Sequence, residues 1–159
     1  MKTLVLIIVL ILAGWVLYRT LGVNEKQPVP AATPPVHREE VTAGAKLNSV
    51  FPAAEGDYKV TFTQEKTGFA QADLSKSGAK VAAFTVSDTE ANPSARDKFK
   101  TAKKKIGDSP MAANGSQGTA VLAGNRYQVQ VRSLSPAFTE ADREAWLRKF
   151  KLSQLAEMK

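Results

Sequence analysis

The chain predicts an α+β protein in three parts: a transmembrane signal anchor over residues 1–23, a Pro-rich linker over 24–50, and an extracytoplasmic domain over 51–159. The domain is expected to hold an antiparallel sheet of about five strands packed by two helices. Three observations predict this build. One is an unbroken apolar run at residues 4–18; another is a cluster of prolines from Pro28 to Pro35; the third is a series of short stretches alternating apolar and polar residues, broken by two segments of helical spacing.

The apolar run reads LVLIIVLILAGWVLY and continues past Arg19 and Thr20 to Leu21 and Val23. At ~1.5 Å per helical residue, about 18 to 20 residues span roughly 27 to 30 Å, the hydrocarbon thickness of a bilayer. A cleaved signal peptide, the alternative, needs small residues just before the cut, and a cut after Ala13 or Gly14 leaves Ile11 or Leu12 two residues upstream of it. Trp15 stands where a lipoprotein would need its acylated Cys. Trp15, Tyr18 and Arg19 form a membrane-interface cluster, with rings among headgroups and Arg snorkelling. Lys2 precedes the span, so the amino end is expected in the cytoplasm and the domain outside. The localisation this implies is a bacterial inner membrane, with the domain facing the periplasm or cell exterior.

Pro28, Pro30, Pro34 and Pro35 bias the next stretch toward extended polyproline geometry. Taken as a coil of ~27 residues, it separates its ends by on the order of 30 Å. Residues 44–50 are the alternative start of the folded part. The single histidine, His37, lies in this spacer, and the chain has no Cys. Disulfides, thiolate metal sites and Cys or Ser nucleophiles activated by His are thereby excluded, and neither a cofactor nor a metal is expected.

Within the domain, residues 58–63 (YKVTFT) alternate at the two-residue period of a half-buried strand. Residues 68–74 and 80–86 alternate likewise around Ser75-Lys76-Ser77-Gly78, predicting a three-stranded antiparallel meander. Asn92-Pro93 offers a cap and a first-turn proline for a helix. Ala95, Phe99, Ala102 and Ile106 fall at helical spacing, and Gly107 ends the pattern. Residues 108–117 read as a surface loop. Residues 119–123 and 126–132 read as a second hairpin turning at Gly124-Asn125, with Tyr127, Val129 and Val131 on one face and Arg126, Gln128, Gln130 and Arg132 on the other. Thr139 followed by Glu140 and Asp142 starts the last helix, whose Trp146, Leu147 and Phe150 close the core, with Leu152 and Leu155 beyond a bend.

The formal charge is +7. From Phe51 to Lys159 there are 17 basic and 12 acidic residues. Arg96, Lys98, Lys100, Lys103, Lys104 and Lys105, opposed only by Asp97, match that excess and would all lie on one helix over 96–105. Asp88 and Glu90 are the best paired carboxylates, and both read as ordinary turn or cap residues. Gly115-Ser116-Gln117-Gly118 lacks P-loop spacing. The strands lack the stacked aromatics of sheet-type RNA readers, so no nucleic-acid partner is expected.

The expectation is therefore a non-catalytic accessory or assembly subunit of an integral membrane protein complex. Its candidate contact residues are Arg96, Lys100, Lys103, Lys104 and Lys105 on the helix and Arg126 and Arg132 on the strand face. The alternative is a tethered module binding anionic lipid or an acidic envelope polymer through the helix at 96–105.

Overall fold

The computed structural model describes residues 40–158. The expected anchor with Trp15, Tyr18 and Arg19, and the linker through His37 to residue 39, lie outside the described residues. Among the residues described, no helix is long and apolar enough to cross a membrane.

Seven strands form one antiparallel sheet in the order β1-β2-β3-β7-β6-β5-β4. The first meander is β1 (Tyr58–Lys66), β2 (Phe69–Lys76) and β3 (Ala79–Asp88). Ser77 and Gly78, both at positive φ, make the tight turn between β2 and β3. The second meander is β4 (Lys104–Ile106), β5 (Ser109–Ala113), β6 (Gly118–Ala123) and β7 (Tyr127–Ser133). Gly124 and Asn125 turn β6 into β7, again at positive φ, as their sequence predicts. The two meanders join where β3 pairs with β7, from Ala82↔Ser133 to Asp88↔Tyr127.

Alternation along each strand sends Ala72 and Leu74, Phe84 and Val86, and Val129 and Val131 to one face, all with no exposure. Three helices cover that face. α1 (Gly44–Asn48) lies over β1 and β2, α2 (Glu140–Leu147) over β6 and β7, and α3 (Leu152–Glu157) over β6. Thr139 and Asp142 form a reciprocal capping box that starts α2, as Thr139 and its early acids predict. Trp146 meets Tyr58 edge-to-face at 5.2 Å and lies tilted 5.4 Å from Phe84, and Phe150 lies 5.4 Å from both Phe51 and Phe84. This aromatic group binds helices to sheet, since edge-to-face and tilted ring pairs add to what their buried area contributes.

Four expectations are corrected. The sheet has seven strands in place of five. The helix expected from Asn92 to Gly107 is one short 3-10 segment, Pro93–Phe99, preceded by another at Thr89–Ala91 and followed by β4. Its supposed stripe divides: Phe99 packs with Ala120 and Leu122 on the second sheet face, whereas Ile106 packs against the principal core. Gly107, at φ +59, is the hairpin turn into β5, so the expected loop at 108–117 contains a strand. Residues 42–50, assigned to the linker, belong to the fold, because Thr42, Leu47 and Val50 are buried.

Trp146→Ala should cost about 3–5 kcal/mol, the range for deleting a large buried ring. Urea unfolding followed by the fluorescence of the remaining aromatic residues, or by circular dichroism, checks this.

Candidate functional site

At the end of the β3–β7 seam, Asp88 and Arg126 form an ion pair with side chains 0% and 8% exposed. Arg126 donates from Nε to Asp88 Oδ1 at 3.0 Å and from Nη2 to Oδ2 at 2.8 Å. The Thr42 N–H donates to Oδ2 at 2.8 Å and the Glu90 N–H to Oδ1 at 3.1 Å. Burial opposes ionisation of Asp88, but these four donors outweigh it and hold the carboxyl below its ordinary value of 3.8. Arg126 Nη2 also donates to the Glu40 carbonyl at 2.7 Å, and the Thr42 and Tyr127 hydroxyls lie 2.7 Å apart. The first described residues are thus latched onto the sheet. A cleft of about 460 Å³ opens beside this latch, between Glu40, Lys46, Thr67 and Arg126.

Asp88 and Glu90, the paired carboxylates of the sequence, are each engaged by a different arginine. Asp88 is saturated, and Glu90 is held by Arg96, which also donates to the Thr89 hydroxyl. Among the described residues, no group of three or more acidic or His side chains is placed to hold a metal.

The cations expected on one helical face are dispersed. Arg96 serves Glu90 at the seam end. Lys100 pairs with Asp97 at 2.7 Å. Lys104 lies on the helix-covered side, 2.8 Å from Glu144 and 3.7 Å from Glu140, and these carboxylates raise its pKa. Lys103 and Lys105 are exposed, with Lys105 pointing away from Lys104 along β4. Arg126 leaves the predicted Arg/Gln strand face for the buried latch, while Arg132 stays on that face and is exposed.

The sheet's second face is the larger feature, because Pro93–Phe99 covers it only over β5 and β6. Across β2, β3 and β7 three rows stand side by side: Phe69↔Ser87↔Gln128, Gln71↔Thr85↔Gln130 and Asp73↔Ala83↔Arg132. The middle strand offers only Ala, Thr and Ser, so it floors a shallow channel between two taller walls. Those walls are two strand spacings apart, about 10 Å, and the floor from Ala83 to Ser87 runs ~13 Å. Gln130 is held by Asn114 at 2.6 Å, which in turn accepts from Lys98 at 2.9 Å. Burial pushes the Lys98 ammonium down.

Around this channel stand Lys59, Lys66, Lys80, Lys98 and Arg132, with Asp73 as the one carboxylate. Residues 40–158 contain seventeen basic and thirteen acidic side chains, so removing these five and one leaves twelve of each. The five cations and one carboxylate give the channel's surround a net charge of +4. Residue order missed Lys59, Lys66 and Lys80; the signal was their place on the polar face of the β1-β2-β3 meander. It also missed buried Arg143 on α2, which donates to the Thr119 and Ser133 hydroxyls at 3.0 and 2.9 Å.

Compared with protein-family models, curated proteins and solved structures, the chain matches none.

Arg126→Met leaves Asp88 buried without its counter-charge and should cost about 3–5 kcal/mol in urea unfolding. Because Asp88 ionises at lower pH in the fold than in the unfolded chain, its stabilisation is complete above the ordinary carboxylate value and is lost as pH falls through the folded pKa. Thermal unfolding should therefore show a midpoint falling below about pH 4, and Asp88→Asn should start lower at neutral pH and fall less steeply.

Proposed function

We propose that this chain is a non-catalytic, membrane-anchored accessory subunit whose domain is an interaction module. In this reading the apolar run at residues 4–18 holds the chain beside an integral membrane complex, and the domain works on the extracytoplasmic side. The uncovered sheet face carries the proposal. A half-sheet left without helices among the described residues, ringed by five cations and one carboxylate, suits a partner better than water alone, since predominantly single-signed surfaces steer complementary partners. The state of Asp88 and Glu90 supports a non-enzymatic role, because each is already held by an arginine.

Binding would fall to Lys59, Lys80 and Arg132 and to the channel they flank. This replaces the helical face over 96–105, whose cations point in several directions.

Mild detergent extraction of native membranes followed by size-exclusion chromatography should show the chain co-migrating with other polypeptides. The triple variant Lys59→Gln, Lys80→Gln, Arg132→Gln should shift most of it to the free position. Migration of the unaltered chain as a lone monomer would defeat this reading.

A further inference from the structure

We propose that the channel along β3 binds a linear anionic glycan, a sugar chain bearing carboxylate groups. The proposal rests on the reading of the domain as an outward-facing interaction module, and it names the chemistry of one of its ligands.

Charge complementarity is the first argument. Lys80 is committed to Asp73 at 2.5 Å, whereas Lys59, Lys66, Lys98 and Arg132 have no ion pair among the described residues. These four cations border the channel, where they would meet acidic groups projecting from a chain laid along its floor.

The lining supplies the second argument. Thr85 and Ser87 in the floor and Gln71 and Gln130 in the walls are neutral, and each both donates and accepts hydrogen bonds. Ring hydroxyls have the same dual character. The Asn114 contact holds the Gln130 side chain in place before any ligand arrives, which lowers the ordering cost of binding.

Shape separates this ligand from two others. A bilayer surface would engage the bordering cations but not the floor of a channel one chain wide. An extended acidic peptide gains specificity from pockets for alternate side chains, and the lining offers a single large apolar side chain, Phe69.

The full chain in polyoxyethylene detergent micelles, titrated with polygalacturonate by calorimetry, provides the test. Polygalacturonate should bind at least tenfold more tightly than neutral dextran and than polyglutamate of equal charge. Thr85→Tyr fills the channel and leaves every charge in place, so it should weaken polygalacturonate binding at least tenfold. Ala83→Met, a smaller obstruction, should weaken it in the same direction should Thr85→Tyr not fold. Equal binding of polyglutamate would replace the glycan by an acidic protein segment. Binding to phosphatidylglycerol vesicles that both channel variants leave unchanged, with no binding of polygalacturonate, would make the face a lipid surface. Either outcome overturns the proposal, as does an unaltered affinity in a folded channel variant. Failure here with co-migration intact would leave the accessory-subunit reading standing; binding here without co-migration would remove that reading alone.

Discussion

The β3–β7 pairing joins the two meanders into one sheet, and the Asp88–Arg126 ion pair closes one end of it. A buried ion pair is costly to desolvate and is tolerated only when its remaining lone pairs and protons are met. Here they are: Asp88 takes N–H groups from Thr42 and Glu90, and Arg126 takes the Glu40 carbonyl. The geometry that neutralises the pair also fixes where the chain joins the sheet. Tyr127 extends the arrangement to the other terminus, with its hydroxyl 2.7 Å from that of Thr42 and 3.2 Å from the Met158 carbonyl. Both ends of the described chain therefore meet at one end of the central β3–β7 pair.

That openness follows from where the helices can go. α1, α2 and α3 carry apolar side chains toward the face lined by Phe84, Val129 and Val131, and their burial there is the main favourable term in folding. The opposite face presents Gln71, Thr85, Gln130 and Arg132, which lose little by staying near water. Only around Ala120 and Leu122 does it turn apolar, and there Phe99 covers it. The domain is thus asymmetric by composition, with one side apolar under its helices and the other largely polar.

Local chemistry made several elements readable in advance. Alternation identified β1, β2, β3, β6 and β7; Gly124-Asn125 marked a hairpin; Thr139 with its early acids marked the start of α2. These signals involve neighbours within a few residues, which is why they survive without knowledge of the rest. The stretch from Asn92 to Ala113 was not readable in this way. Ala95, Phe99, Ala102 and Ile106 have helical spacing, yet Phe99 and Ile106 find apolar partners on opposite faces of the sheet, which one helical stripe cannot reach. Arg126 shows the same limit. It follows a turn and precedes an alternating strand, and nothing local signals that a carboxylate 38 residues earlier will draw it inside.

By itself, the amino-acid sequence determined the α+β class, the two meanders' main strands, the absence of thiol chemistry and the excess of positive charge. Those are properties of composition and short-range order, set by side-chain periodicity and turn stereochemistry. Tertiary structure alone decided which cations share a surface. Lys59, Lys80, Lys98 and Arg132 lie far apart along the chain, and strand register brings them around one channel. The adjacent basic run from Arg96 to Lys105 is instead distributed among Glu90, Asp97, Glu144 and solvent. Charge count is additive along a chain, but charge placement depends on which strand pairs with which, and that pairing is settled by burying the apolar face.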